Sequence, residues 1–331
     1  MTDTTPAMTM RAIVHARYGQ PDCLEVPRPE PGPGEVLVRV SAAGVNPLDW
    51  FLVTGLPLIA RSSMGMRRPK QRFAGVDLAG IVEAVGSGVT QLRVGDEVFG
   101  GGSGAFSDYA RAKEGGLAPK PRSLSFEEAA AVPMAAVTAL QALRDHGRLQ
   151  AGQALLINGA SGGVGLFAVQ IAKHLGAEVT GVCSAGNLEL VRSMGADHVV
   201  DYAVQDFTRA GQRYDLILDN AGNHPLAALR RTLTRRGTLI SNSGSGRGRW
   251  LGPLGRIAKV KAAAPFVSQR LVFFLARINR TDLDQLREMA DAGALKVAIE
   301  RAYPLEETAQ AVRHVGEGHV RGKLIITVAH R

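Results

Sequence analysis

Along the first third of the chain, short apolar or alternating runs are separated by clusters of Gly and Pro. Arg11–His15, Glu35–Ala42, Leu78–Val85 and Glu97–Phe99 read as strands, with turns at Pro29–Gly34, Gly86–Gly88 and Gly100–Gly104 between them. Many short strands punctuated in this way predict a barrel or sandwich. The rhythm changes at Ser125, where Ser125-Phe126-Glu127-Glu128 places a cap and two acids ahead of an Ala-rich helix interrupted at Pro133. From Ala154 onward strands and helices alternate. The candidate strands are Ala154–Asn158, Glu178–Val182, His198–Val200, Asp215–Asp219, Gly237–Ser241 and Leu271–Leu275, an alternation that predicts a parallel, doubly wound sheet. After Thr281 come a helix over Leu283–Ala292, a second with core positions at Ala309 and Val312, and a last strand, Lys323–Val328.

One junction carries specific chemistry. The buried strand Ala154–Asn158 runs into Gly159-Ala160-Ser161-Gly162-Gly163-Val164-Gly165, and Val164, Ala168, Ile171 and Leu175 then recur at helical spacing up to Gly176. Strand, glycine turn and helix in that order place a pyrophosphate at a helix N-terminus, where free N–H groups and the positive end of the dipole face it. Gly162 and Gly163 are expected to let the backbone approach the phosphates, and Gly165 to let the helix pack closely. This is a dinucleotide site with Gly159, Ser161, Gly162, Gly163 and Val164 as contacts.

An NAD-binding chain usually ends its second strand in an acid that binds the ribose 2′-hydroxyl, about 20 residues past the turn. Here the strand ends in Cys183-Ser184-Ala185-Gly186-Asn187. A 2′-phosphate meets no like charge there, and Ser184 and Asn187 can donate hydrogen bonds to it, so NADP(H) is the expected cofactor. No Arg or Lys stands in that loop. Tyr202, after the third strand, is an adenosine-side candidate, and Cys183, Asn220, Ser241 and Phe274 are counted with the cofactor contacts.

The 331 residues suffice for two domains, and the composition is that of a soluble globular protein. No secretory signal is visible, and no apolar run approaches the roughly 20 residues of a membrane helix. The two cysteines, Cys23 and Cys183, fit no metal-ligand spacing, and a reducing, cytoplasmic setting is expected. The net charge of +9 is uneven: ten Lys or Arg and no acid fall between Arg230 and Arg270, and five more basic residues between Thr54 and Arg72. A solvated basic face and attraction to an anionic partner both fit that pattern. With Trp250 and Leu251 beside it, the Gly-rich stretch Ser243–Gly248 is expected to form a lid whose cations steer an anionic ligand. No recognition motif accompanies the charges, which argues against nucleic acid.

Several further segments make the chain resemble the zinc-independent quinone oxidoreductase branch of the medium-chain dehydrogenase/reductase superfamily, from about Met10 to Val328. They are Ala42–Asp49, Gly75–Gly86, Gly95–Gly100, the glycine turn, Gly195–Tyr202 and Arg321-Gly322-Lys323. The resemblance implies an α/β fold: a GroES-like N-terminal β-barrel domain over residues 1–126 and 276–331, and a Rossmann doubly wound parallel-sheet domain over 127–275. It also implies a cleft between them and a homodimer joined through Arg270–Leu275. Zinc-dependent relatives carry a Cys where this chain has Asn46 and a His-Glu pair where it has Val76-Asp77, and they carry a four-Cys lobe after the position of Gly100. Two dispersed cysteines supply neither set, so no metal is expected.

Without a Lewis acid, a conjugated carbonyl or a quinone is the natural hydride acceptor, because its charge delocalises. The expected reaction is NADPH-dependent reduction of such a small molecule. A carrier- or CoA-linked enoyl group, or a weakly catalytic NADPH-binding protein, are the alternatives. Asn46 and Thr138 are the candidate catalytic groups. Asn46 also suits a turn before Pro47, and Thr138 a hydroxyl bonded to its own helix. Asp49 and Asp77 read as turn holders, and Lys323 as either a phosphate contact or a surface lysine.

Overall fold

A computed structural model describes residues 8–242 and 254–330. The chain begins with β1 (Thr9–Arg17), β2 (Gln20–Pro27), β3 (Glu35–Val45), α1 (Pro47–Thr54), α2 (Arg61–Met64), β4 (Asp77–Val85), β5 (Glu97–Gly101), β6 (Tyr109–Lys113) and β7 (Leu117–Pro119). Two helices, α3 (Phe126–Ala131) and α4 (Pro133–Leu140), continue into a π-helical stretch, Gln141–Gly147. The second half contains β8 (Ala154–Asn158), α5 (Gly163–His174), β9 (Glu178–Cys183), α6 (Leu188–Ser193), β10 (His198–Asp201), β11 (Tyr214–Asp219), α7 (Leu226–Thr232), β12 (Leu233–Ser241), α8 (Leu254–Ala263) and β13 (Arg270–Val272). It closes with α9 (Arg280–Asp291), β14 (Ile299–Pro304), α10 (Thr308–Glu317) and β15 (Lys323–Thr327).

Two large sheets organise these elements. Six parallel strands stand in the order β10-β9-β8-β11-β12-β13, so the chain reverses direction across the sheet between β8 and β11. The other sheet runs β14-β15-β3-β4-β5-β7, with β6 also on β3. Its first two strands come from the C-terminus, so the end of the chain completes the N-terminal barrel. Leu324 pairs with Val45 and Gly44 with Asp77, which brings three sequence-distant strand ends to one place.

The Ala-rich helices join the halves because small side chains permit close approach. Ala129–Ala131, Ala136 and Ala139 are fully buried, in one core with Ala42, Ala79 and Phe99 of the barrel and Leu155 and Ile157 of the parallel sheet. A Cβ on Gly44 would lie 2.4 Å from the Ala130 carbonyl oxygen, so β3 touches α3 backbone to backbone. Ser125 caps α3, accepting from the Glu128 N–H while Glu128 accepts from that of Ser125.

Several expectations need correction. The strand expected at Leu271–Leu275 ends at Val272, because Phe274 turns inward onto His146, with ring centroids 4.3 Å apart, while Leu275 faces outward. Ala309 is only half-buried, and α10 packs through Thr308, Ala311 and Val312. The short or polar-rich strands β2, β6, β7 and β14 carry too little apolar pattern to be read beforehand. The expected lid, Ser243–Gly248 with Trp250 and Leu251, lies outside the described residues.

Candidate active site

The glycine turn sits at the carboxyl end of β8, beside the reversal of strand order where open α/β sheets bind ligands. Its glycines divide the work differently from expectation. At Gly162, the N-cap of α5 with φ −78°, an added Cβ would have no neighbour closer than 3.8 Å, so this side of the backbone is open to an anion. Gly163 is closed instead: a Cβ there would meet Lys323 Cδ at 2.9 Å and the Gly322 carbonyl oxygen at 3.2 Å. Gly165 packs on the turn itself, 2.3 Å from the Gly159 carbonyl oxygen by the same measure. Gly159 adopts φ +82°, which a side chain would strain. Val164 is half-buried against the core.

Beside the turn, Asn187 ties the loop after β9 to Ser161. Its amide donates to Ser161 Oγ at 3.3 Å and Ser184 Oγ at 3.0 Å, so both hydrogens are used inside the protein. Asn187 therefore orders the loop rather than donating outward, and Ser184 keeps its own hydroxyl proton for a ligand. The Asn187 Oδ1 atom is buried without a hydrogen-bond partner. Cys183 is buried, and burial pushes its thiol up to about 11, which keeps it protonated and unreactive at neutral pH. Tyr202 is half exposed at the same edge. Arg192 of α6, paired with Glu189, acts weakly on the Cys183 thiol against Asp201.

The barrel side holds a buried polar hub. Asn46, 4% exposed, donates from Nδ2 to Asp77 Oδ2 at 2.9 Å, and its Oδ1 accepts from Lys323 Nζ at 2.5 Å. Lys323 Nζ also donates to the Val45 carbonyl at 3.1 Å and lies 3.9 Å from Asp77 Oδ2. Asp77 accepts in addition from the Met134 N–H, at the start of α4, at 3.1 and 3.2 Å. Asp49 accepts from the Asn46 N–H at 2.8 Å, while its other oxygen, Oδ1, is buried without a partner. Desolvation raises both acids, Asp49 to about 7 and Asp77 to about 6, with Lys323 opposing the rise. Burial lowers the Lys323 ammonium, and the two carboxylates work against that.

These contacts revise three readings. Lys323 is neither a surface lysine nor aimed at a phosphate: its ammonium points into the barrel and its stem lies on Gly163. Asp49 does hold the turn, as the N3 acid of the capping box at Asn46, but it is buried, and Asp77 is a buried partner of Asn46 and Lys323 rather than a turn holder. Thr138 donates its hydroxyl to the Met134 carbonyl at 2.6 Å, the helix-internal bond that its position allowed.

At the next strand ends, Asn158 donates to Asp219 at 2.8 Å and to Asn223 at 2.8 Å, and Asn220 accepts from Asn242 at 3.0 Å. Ser241 is buried beside them, in register with Asp219. Phe274 is buried against His146, their rings tilted at 34°. Among the described residues no three His, Cys, Asp or Glu side chains converge as a metal-ligand set, and no helix is long and apolar enough to cross a membrane.

This fold, with a glycine turn at its reversal point and a polar hub on the barrel side, defines a class. Residues 32–122 match the alcohol dehydrogenase GroES-like domain family and residues 194–326 the zinc-binding dehydrogenase family. The chain is 31% identical over 336 residues to the chloroplastic quinone-oxidoreductase QR1 of Triphysaria versicolor, covering 96% of this chain and 98% of that protein. To the mitochondrial NAD(P)H oxidoreductase RTN4IP1 of Mus musculus it is 34% identical, covering 89% and 82%. The quinone oxidoreductase structure from Coxiella burnetii superposes with a TM-score of 0.83 at 28% identity, over 97% of this chain and all of that one. The chain belongs to the medium-chain dehydrogenase/reductase superfamily, in its quinone oxidoreductase-like branch, and is an oxidoreductase of a pyridine-nucleotide-dependent family.

Proposed function

We propose that the protein reduces a quinone or an α,β-unsaturated carbonyl with NADPH and without zinc. The observation that carries this reading is the open Gly162 face of the turn beside Ser184, with no carboxylate on the loop that follows β9. The N-terminus of α5 would hold the pyrophosphate, Ser184 the 2′-phosphate and Tyr202 the adenosine side of the nucleotide. NADPH, when bound, supplies the hydride. Asn46, Thr138 and the ends of β11 and β12 at Asn220 and Ser241 line the reacting side.

The reading is metal-free on the chemistry of the donor set. Where zinc-dependent relatives place a Cys and a His-Glu pair, Asn46 and Asp77 are committed to an ammonium, that of Lys323. A conjugated acceptor suits such a site, since its developing charge spreads over an enolate or hydroquinone that a few donors can hold. The related oxidoreductases above, named for quinones and NAD(P)H, support the same substrate class. The domains we propose are residues 1–126 with 276–331, and 127–275. The assembly is a homodimer joined at the open edge of β13, flanked by exposed Phe266 and Leu275.

Steady-state oxidation of NADPH and NADH with a simple benzoquinone and a simple enone tests the reading. Turnover preferring NADPH is expected. Failure to oxidise either nucleotide with either acceptor overturns it.

A further inference from the structure

The two halves of the site meet at the start of β15. Gly322 donates its N–H to the Ser161 carbonyl at 2.9 Å, and Gly162 and Gly322 pair as a one-residue parallel bridge, so β15 begins docked on the phosphate turn. The next residue, Lys323, lays its stem on Gly163 and delivers its ammonium to Val45 and Asn46. Asp77 extends the chain of contacts from Asn46 to the first turn of α4, the helix that carries Thr138.

Neither end of this arrangement has freedom to drift. Asn46 has its amide oxygen engaged by Lys323 and its nitrogen by Asp77, which fixes the orientation of the group. Lys323 is 4% exposed and Asp77 fully buried, so few waters are available to replace a lost partner. A polar group in that position turns if one neighbour is removed, and a stem no longer anchored through its ammonium to Val45 and Asn46 holds the turn packed on it less firmly.

We propose that Lys323 is a positioning residue that couples the phosphate-binding turn, Gly159–Gly165, to the carboxamide of Asn46, so that the two hold one register across the halves of the molecule. The lysine acts through its neighbours and touches neither nucleotide nor substrate. For its catalytic consequence the inference rests on the function proposed above; the structural coupling does not.

Two variants test it. Lys323→Met keeps the stem and removes the ammonium. Lys323→Met with Asp77→Asn removes that pair of buried charges together, so that Asp77 is not stranded without its counter-ion. Amide hydrogen exchange of the protein without nucleotide should rise on the order of tenfold in both 159–165 and 45–49, in each variant, with the rest of the barrel unchanged. Exchange that rises in only one of the two segments, or in neither, overturns the coupling. With NADPH and benzoquinone, kcat should fall about 10- to 100-fold while the KM for NADPH stays within about threefold, because misplacement costs reactivity more than binding. A variant whose kcat matches the wild type overturns the positioning role. If the wild-type protein turns over neither nucleotide, the functional reading fails while the exchange result still decides whether Lys323 couples the two segments.

Discussion

Gly322 donates its backbone N–H to the carbonyl of Ser161 across 2.9 Å, joining the start of the last strand to the turn that follows the first strand of the parallel sheet. The order of elements along the chain gives no reason for these residues to meet. Their contact makes the glycine turn part of the barrel surface, so substitutions in the turn should divide sharply by which side they face.

Gly162→Ala should fold with normal or slightly raised stability, since its φ of −78° suits any residue and nothing stands within 3.8 Å of the added carbon. Its nucleotide affinity should drop at least about tenfold, a loss of roughly 1.4 kcal/mol, because the methyl occupies the approach of the phosphates. Gly165→Ala should instead lose about 1–3 kcal/mol of stability through overlap with the Gly159 and Ala160 carbonyls. Thermal melts beside fluorescence titrations of NADPH separate the two effects. A Gly162→Ala protein that binds NADPH normally would remove the turn from the cofactor site.

Cofactor choice is tested at Ser184. The wild type should bind NADPH more tightly than NADH, and Ser184→Asp should weaken NADPH by about tenfold or more by setting a like charge beside the 2′-phosphate. Titration of both reduced nucleotides decides the matter, with equal or tighter binding of NADH by the wild type as the contrary outcome.

Asp49 should reveal its burial through pH. Its carboxyl lies at about 7 in the folded protein against an ordinary 3.8, so the folded state holds a proton that the unfolded chain has released. Between those values stability must fall as pH rises, and above pH 7 the full cost of a buried carboxylate is present. Asp49→Asn should therefore be more stable than the wild type at pH 8, by roughly 2–4 kcal/mol, since each tenfold difference in proton affinity between the two states is worth about 1.36 kcal/mol. That advantage should shrink steadily toward pH 4. Denaturant melts across the range provide the check, and a stability difference independent of pH would contradict the assignment.

Metal independence is directly measurable. Activity should survive exhaustive chelation, and elemental analysis should find no stoichiometric zinc. One zinc per chain would mean that the ammonium of Lys323 does not occupy the place where relatives hold their metal.

The dimer edge makes the last prediction. Leu275 is 79% exposed beside the end strand β13, so Leu275→Glu should shift the sedimenting mass from two chains to one without unfolding the monomer. A wild-type protein that sediments as one chain would refute the proposed interface.

The order of strands and helices was legible along the chain because a strand buried on both faces must be apolar through its centre. Leu155–Ile157 and Leu216–Leu218, at the centres of β8 and β11, announce themselves in that way. The glycine turn was legible for a similar reason, since only glycine tolerates the Gly159 conformation and the close approach at Gly165. Local chemistry likewise placed the Ser125 cap and the missing acid after β9. Tertiary structure alone decided which glycine has open space beside it, because the neighbours of Gly163 come from the far end of the chain. It also decided the fate of Asp49, Asp77 and Lys323. Each is a charged residue that sequence reading assigns to a surface or a turn, since charge prefers water. Pairing of β15 with β3, and of β3 with β4, buries all three around Asn46, and burial then makes each partner necessary to the others.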